Sequence, residues 1–248
     1  MHKTNFWNKF FIHREKVVLL LLFILSAGAN AQDHLYGKDN NKVDKNLPEY
    51  DNKKLHYGFT IGLNSTRFKP VQSEYYFSEE DTVAKVEGVR TPGFSLGFIL
   101  NLKLADFFDL RLLPTVAFYQ RDVNFTFQAG KKSTQSTEST FIEFPLLLKY
   151  KSQRRGNLRA YVLGGIKAGI EAGAKKKEKK ESELRTNNKD FAIDYGFGFD
   201  IYYPLFKFSP EIRISHGIAN MLNKDPNIFS ESLKSLNSHT VTLFLHFN

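Results

Sequence analysis

The stretch that decides the fold is SHTVTLFLHFN, residues 238–248 at the C-terminal end of this 248-residue chain. Apolar side chains alternate there with more polar ones, in the two-residue period of a β-strand. The apolar positions are Val241, Leu243, Leu245 and Phe247. An open strand with such a face would aggregate in water. The stretch therefore predicts the closing strand of a membrane β-barrel, with one face in lipid and the other in the lumen.

The same period recurs in seven earlier segments between residues 54 and 215, and charged residues fall on the face opposite the aromatic ones. Three connections are short (105–107, 152–157 and 203–205), and they alternate with long ones (69–90, 122–138, 172–190 and 218–237). Outer-membrane barrels have short periplasmic turns and long external loops, whereas a soluble β-sandwich follows no such rule. We therefore predict an all-β fold, an eight-stranded antiparallel up-and-down transmembrane barrel.

Two details of the strands stay open at this point. The fifth strand is rich in Gly and Ala, and we choose the register that turns Val162 and Ile166 outward and Lys167 inward. Proline lacks a backbone donor, so it is expected at bulges or strand ends. Three prolines fall inside the predicted strands, namely Pro114, Pro145 and Pro210.

The N-terminal residues 1–31 have the features of a signal peptide. A basic region is followed by the apolar run 17–25 and by Ala29 and Ala31, which predict cleavage before Gln32. The apolar run is too short to cross about 30 Å of hydrocarbon as a helix. Residues 32–53 are polar and aperiodic, so we expect a periplasmic extension without regular structure. The barrel is then residues 54–248, and both of its ends lie in the periplasm.

Composition narrows the function classes. The chain has no cysteine, which excludes disulfides, thiol catalysis and cysteine-based metal sites. Without residues 1–31, 31 basic and 25 acidic residues remain, a net charge of +6. For an exported protein this charge favours contact with outer-membrane lipid and lipopolysaccharide over nucleic acid. The lysine run at 175–180 is read as a solvated loop. We find no metal-ligand spacing and no phosphate-binding glycine loop, so we expect no cofactor and no small-molecule substrate.

The predicted inner face carries charges of both signs in equal number. Eight strands leave an interior just wide enough for side chains, so these charges should pair and plug the lumen. A conductance step in planar bilayers would contradict a plugged lumen. The charges are Lys103, Arg111, Arg121, Lys149, Lys167 and Arg213 against Asp109, Glu143, Glu171, Asp194, Asp200 and Glu211.

An enzymatic barrel would need a nucleophile, a base and an acid at its external rim. Among the histidines, His216 and His239 are expected near that rim, where they could flank Ser215 or Ser238. A rim histidine more often bonds a loop carbonyl than acts as a catalytic base. We therefore predict no enzymatic activity.

The last long loop is apolar although it is expected to lie outside the membrane. Such a loop either contacts a partner or folds back over the barrel mouth, and the sequence leaves both open. The apolar residues are Ile218, Met221, Leu222, Ile228, Phe229, Leu233 and Leu236.

Three stretches carry a resemblance to known families: NLPEYDNKK at 46–54 running into HYGF at 56–59, IEFPLLLKY at 142–150, and RISHGIANML at 213–222. The second resembles Bacteroidota eight-stranded outer-membrane barrels in general. The first and third together resemble the PorT (SprT) proteins of type IX secretion and gliding motility. The resemblance implies a non-enzymatic subunit that contacts other type IX subunits. The alternatives are a surface adhesin or ligand-binding barrel, and a lipid- or peptide-modifying barrel enzyme.

Overall fold

The structure, a computed structural model, describes residues 45–73, 83–127, 132–172, 184, 186–223 and 228–248. All of them belong to one compact unit that begins at Lys45. The predicted signal peptide, most of the extension and the lysine run at 175–180 lie outside these residues. Within them, no helix is long and apolar enough to cross a membrane.

The described elements are ten strands and two short helices. After a 3₁₀ helix, Tyr50–Asn52, and before a single helical turn, α1 (Ile228–Glu231), the chain is almost entirely strand. The strands are β1 (Leu55–Gln72), β2 (Val83–Val89), β3 (Thr91–Lys103), β4 (Phe108–Leu112), β5 (Thr115–Phe127), β6 (Lys132–Lys151), β7 (Leu158–Glu171), β8 (Lys189–Tyr202), β9 (Lys207–Gly217) and β10 (Leu233–Phe247).

The sheet closes on itself. Strand β1 pairs antiparallel with β10 on one side and with β3 on the other, and every other pairing is also antiparallel. The structure confirms the all-β, up-and-down architecture. It has ten strands because Arg90 separates β2 from β3, and Leu113 and Pro114 separate β4 from β5. In each interrupted pair the second strand continues the line of the first, so β2 with β3 and β4 with β5 each occupy one strand position of the barrel. Eight strand positions therefore surround the lumen.

Alternate residues face opposite sides of the wall, as strand geometry requires. The outer face is apolar and exposed, including Phe98 at 71% and Val162 at 53%, while the inner face is polar and buried. Lys167 lies inside and Ile166 outside, as the chosen register of the fifth strand predicts. Closure therefore converts the alternation into an apolar outer band around a charged lumen.

The strands are longer than the sequence predicts at one end only. At the end where β3–β4, β6–β7 and β8–β9 connect, the turns are short; we call this the turn end. At the opposite end, the loop end, β1 runs on to Gln72, β6 begins at Lys132 and β2 lies within the predicted loop 69–90. The long predicted loops are therefore in part strand.

The three prolines differ in their effect. Pro114 ends a strand, as expected. Pro210 lies where β8 and β9 lose their pairing between Gly198 and Ile201. Pro145, however, lies within continuous β6 and opposite Lys167, so the expected bulge or strand end is absent there.

Candidate functional site

The centre of the lumen is a carboxylate surrounded by cations. Glu211 of β9 accepts hydrogen bonds from Arg111 Nη1 of β4 (2.7 Å) and from Tyr161 Oη of β7 (2.9 Å). Arg213, two residues along the same strand face, donates through Nε at 2.9 Å. The His246 Nε2 atom of β10 lies 3.2 Å from the same carboxylate. Four strands thus converge on one fully buried acid.

Two further ion pairs extend this network toward the turn end. Lys149 Nζ lies 2.8 Å from Asp200, which also accepts a hydrogen bond from Ser209 Oγ at 2.7 Å. Beyond it, Lys151 Nζ lies 2.7 Å from Asp109. Both pairs are buried, so each charge depends on its partner to offset the loss of hydration.

A third pair lies toward the loop end. Lys167 Nζ is 3.0 Å from Glu143, and Tyr119 Oη donates to the same carboxylate at 2.9 Å. Arg121, although predicted to join the charge network, is bonded to Thr66 and lies over aromatic rings. Its guanidinium carbon is 4.5 Å from the Tyr119 ring centroid and 5.4 Å from that of Phe141, the geometry of cation–π contacts.

Three predicted lumen charges are placed differently from the rest. Lys103 is at the turn-end rim, where its ammonium contacts Asp106 at 3.0 Å. Glu171 is half-buried at the end of β7. Asp194 is fully buried, yet its nearest cation, Arg213 Nη1, is 4.0 Å away, and neither carboxylate oxygen has a hydrogen-bond partner.

Sequence reasoning missed several members of the network. Lys151 was not among the predicted lumen charges, although its inward position follows from Lys149 two residues earlier. His246 was not predicted to join the network, but it is completely buried and faces the lumen. Tyr161 and Arg159 lie on the inner face of β7 together with Lys167, but the prediction for this strand did not include them. Extending each two-residue period to the strand ends would have found all four.

The turn end is closed by residues 45–54, which we call the plug. Instead of an unstructured tail, this part of the predicted extension folds across the lumen. Asp51 accepts hydrogen bonds from Arg159 Nη1 (3.0 Å) and Tyr202 Oη (3.1 Å). Asn46 donates from its side chain to the Tyr202 carbonyl at 2.9 Å. The Tyr50 ring stacks on His56 with centroids 4.2 Å apart. These contacts fix the plug to the barrel wall.

A cavity of about 420 Å³ opens beside the plug. Its charged lining is mostly basic: Lys45, Lys103, Lys151, Arg154 and Arg159 against Asp51 and Asp106. The turn end therefore offers a concave, cationic surface.

The loop end is closed by an apolar cluster, which we call the cap. The loop that was predicted either to contact a partner or to fold back belongs to this cluster. Its apolar residues pack back over the mouth of the barrel. Met221, Leu222, Leu233 and Leu236 are buried, and Phe229 packs edge-on against Phe125 with centroids 4.9 Å apart. Of the apolar loop residues with a described side chain, Ile218 alone is exposed, and the Ile228 side chain lies outside the description. The other members of the cap are Phe68, Val86, Ala117, Tyr119, Val123, Phe125, Phe127, Phe141 and Leu184.

The histidine and serine residues considered for catalysis are separated by the barrel wall. His216 and His239 point outward, and their ring centroids are 4.2 Å apart. Ser215 and Ser238 point inward, where they bond Lys167 (3.3 Å) and Asp190 (2.6 Å). Neighbouring residues of a strand face opposite sides, so neither histidine can activate the serine next to it.

Within the described part of the chain, no group of three or more histidine and acidic residues is placed to hold a metal ion.

Comparison with known proteins places the chain among barrel proteins. The model of a family described as "Outer membrane protein beta-barrel domain" matches residues 30–223. No curated protein matches the sequence. Among solved structures, the chain is similar to the outer membrane protein OprG from Pseudomonas aeruginosa, with 13% identity, a TM-score of 0.40 and coverage of 77% of this chain and 92% of that one. It is also similar to Neisserial surface protein A (12%, TM-score 0.38, 78% and 98%) and to Ail of Yersinia pestis (12%, TM-score 0.33, 79% and 98%).

Proposed function

Because the chain belongs to the family of outer membrane proteins with this β-barrel domain, we propose that it acts in that membrane as a non-enzymatic subunit required for type IX protein secretion. Its task would be the export of proteins with C-terminal sorting domains, and gliding where the cell glides. The proposal rests on the resemblance to PorT (SprT) proteins and on the arrangement of the two ends of the barrel.

The ordered plug at the turn end is the main structural support for this proposal. The stretch 46–54 is one of those that resemble PorT proteins, and it is tied to the barrel through Asp51, Arg159 and Tyr202. Short turns face the periplasm in barrels of this kind, so we place the plug there. It would offer a fixed polar surface to periplasmic subunits and cargo, beside the cationic cavity.

The lumen argues for a role by contact rather than by conduction. An eight-stranded barrel encloses only enough space for its own side chains, and here buried ion pairs occupy it from Lys151 to Lys167. A secreted protein would therefore leave through another subunit, with this barrel as an anchor or assembly factor. The partners would be other type IX subunits, together with outer-membrane lipid and lipopolysaccharide.

A clean deletion strain tests the proposal. We expect a cargo protein with a type IX sorting domain to accumulate in the periplasm, and the intact gene to restore its release. Normal export without the gene would contradict the secretion role and would favour a surface barrel that binds ligands or host molecules.

Complementation with point variants tests the part played by the plug. Asp51→Asn removes the carboxylate that holds Arg159 and should restore export poorly at an unchanged level in the membrane. Asp106→Asn is the matched control, because Asp106 lies at the same end and is 84% exposed. Equal export with both variants would show that the contact of Asp51 with Arg159 is not needed for secretion.

A further inference from the structure

Basic side chains form a row on the outer face of the barrel near the loop end. Arg67 of β1 lies opposite His239 of β10, and His239 lies opposite His216 of β9. Arg90 directly precedes β3, the neighbour of β1 on its other side. We call these four residues the basic row. They lie side by side on four adjacent strand positions of the barrel.

The side chains of this row point away from the lumen. The residues next to them in sequence, Thr66, Ser215 and Ser238, are buried inside. The two histidine rings pack against each other at 4.2 Å. The positive charges of Arg67, Arg90 and the neighbouring Lys69 all act on the His239 ring, so the row is a single electrostatic patch.

The row begins where the apolar band ends. One step toward the turn end, the outward residues include Val241 and Ile214, which pair with each other. The next outward level holds Leu63 and Leu243, likewise paired and both exposed. Apolar outward residues mark the depth of the acyl chains in a membrane barrel. The row therefore lies at the depth of the headgroups.

Within the described residues, the charges of the row have no counter-ion. On the adjoining outer surface, Glu87 contacts Lys85 at 2.7 Å and Asp122 accepts a hydrogen bond from Ser136 Oγ at 2.7 Å. The Nε atom of Arg67 is buried and has no hydrogen-bond partner. An unpaired cationic patch at headgroup depth attracts anionic headgroups.

We propose that the basic row binds the phosphate groups of an outer-leaflet glycolipid, phosphorylated lipid A. Arginine forms bidentate hydrogen bonds with phosphate, so Arg67 and Arg90 hold one phosphate, and His216 and His239 supply donors at the other end of the row. Four adjacent strand positions span about 14 Å, a length suited to a disaccharide phosphorylated at both ends. The inference deepens the lipopolysaccharide contact of the proposed function and rests on its orientation, with the loop end outside the cell. It does not depend on the secretion role.

Native mass spectrometry of the purified protein in detergent, titrated with bis-phosphorylated lipid A, tests the proposal. Arg67→Gln with Arg90→Gln should weaken lipid A binding by about thirtyfold, since each basic side chain near an anionic surface contributes a factor of about five. The parent should bind dephosphorylated lipid A as weakly as this variant does. Heat-modifiability on gels verifies that the variant barrel is folded.

The matched control is Lys53→Gln with Lys54→Gln, which removes the same charge from exposed positions at the turn end and should leave lipid A binding unchanged. Equal loss in the control, or unchanged binding in the arginine variant, would overturn the proposal. Equal binding of phosphatidylglycerol would overturn the assignment to lipid A. His239→Gln in place of the arginine changes keeps the row testable if those variants fail to fold.

Discussion

Strand β6 contributes to two interiors of opposite character. Near the turn end it supplies Lys149 and Lys151 to the ion pairs of the lumen, and near the loop end it supplies Phe141 to the cap. Strand β5 also supplies both kinds of residue to the interior, with Arg121 followed by Val123 and Phe125 of the cap. One wall thus encloses a charged core at one height and an apolar core at another.

The surroundings of the wall explain the difference between lumen and cap. Beside the lumen, lipid contacts the outer face, so apolar residues face outward and polar ones are left inside. Beside the cap, the outer face of β6 carries Thr134 and Ser136, which water solvates. Apolar residues there gain most by facing inward. The surrounding solvent, and not strand geometry, therefore decides which face of this barrel is apolar.

Neutralising the central acid of the lumen should have the largest effect on stability. Glu211→Gln leaves Arg111 and Arg213 buried with a weaker acceptor, so we expect the free energy of unfolding to fall by about 3–5 kcal/mol. Urea unfolding in detergent micelles measures this change. Glu87→Gln, which removes an exposed ion pair with Lys85, is the control and should change it by less than about 1 kcal/mol. Similar losses would show that the lumen charges are not mutually dependent.

Truncating the cap should destabilise the loop end without opening the lumen. Leu236 is fully buried in the cap, and Leu236→Ala should cost about 2–5 kcal/mol. Hydrogen exchange should therefore accelerate around Met221 and Leu222 while the strands beside Lys149 keep their protection. Ile218→Ala, at a 51% exposed position, is the control. Accelerated exchange throughout the barrel would mean that lumen and cap form a single cooperative unit.

A charge placed on the outer face tests the role of the solvent directly. Ile61→Arg puts a cation in the apolar band and should destabilise the membrane-inserted barrel by about 2–4 kcal/mol. Val71→Arg puts it on the same strand beside the cap, where Val71 is 42% exposed, and should be nearly neutral. Folding into lipid vesicles compares the two. A neutral Ile61→Arg would contradict the assignment of the band to lipid.

The sequence predicted the lumen far better than the cap, for a reason visible in the strands. Within the apolar band, at the level of the Leu63–Leu243 pair, the apolar alternation has a fixed phase, and the charges opposite it identify the inner face. In β5 the phase reverses, because Phe118 faces outward whereas Val123 and Phe125 face inward. When the phase of the apolar alternation reverses and the partner strand β6 is rich in serine and threonine, the sequence pattern resembles that of a loop. It is instead the mark of a strand that leaves the membrane and continues in water.

Neither the pairing partners nor the plug followed from the sequence. Which cation reaches Glu211 depends on the stagger of distant strands, which bring Arg111 of β4 to β9 across the lumen. The plug residues have no periodicity, and their order comes from single contacts such as that of Asp51 with Arg159. Such contacts need the closed barrel before they can form, so local sequence carries no signal for them.

The smallest expected effect concerns the plug at high pH. Burial raises the pKa of the Tyr50 phenol above its ordinary value, so its contribution to stability is complete below about pH 10 and is lost as pH rises beyond it. Tyr50→Phe lacks this group and also removes a buried hydroxyl without a hydrogen-bond partner. Between about pH 8 and 11.5, the Tm of Tyr50→Phe should therefore rise relative to that of the parent only at the alkaline end. Thermal unfolding of both proteins measures this difference. Tyr57→Phe on the exposed outer face controls for loss of a phenol, and parallel curves for Tyr50→Phe and the parent would contradict the burial of this ring by the barrel.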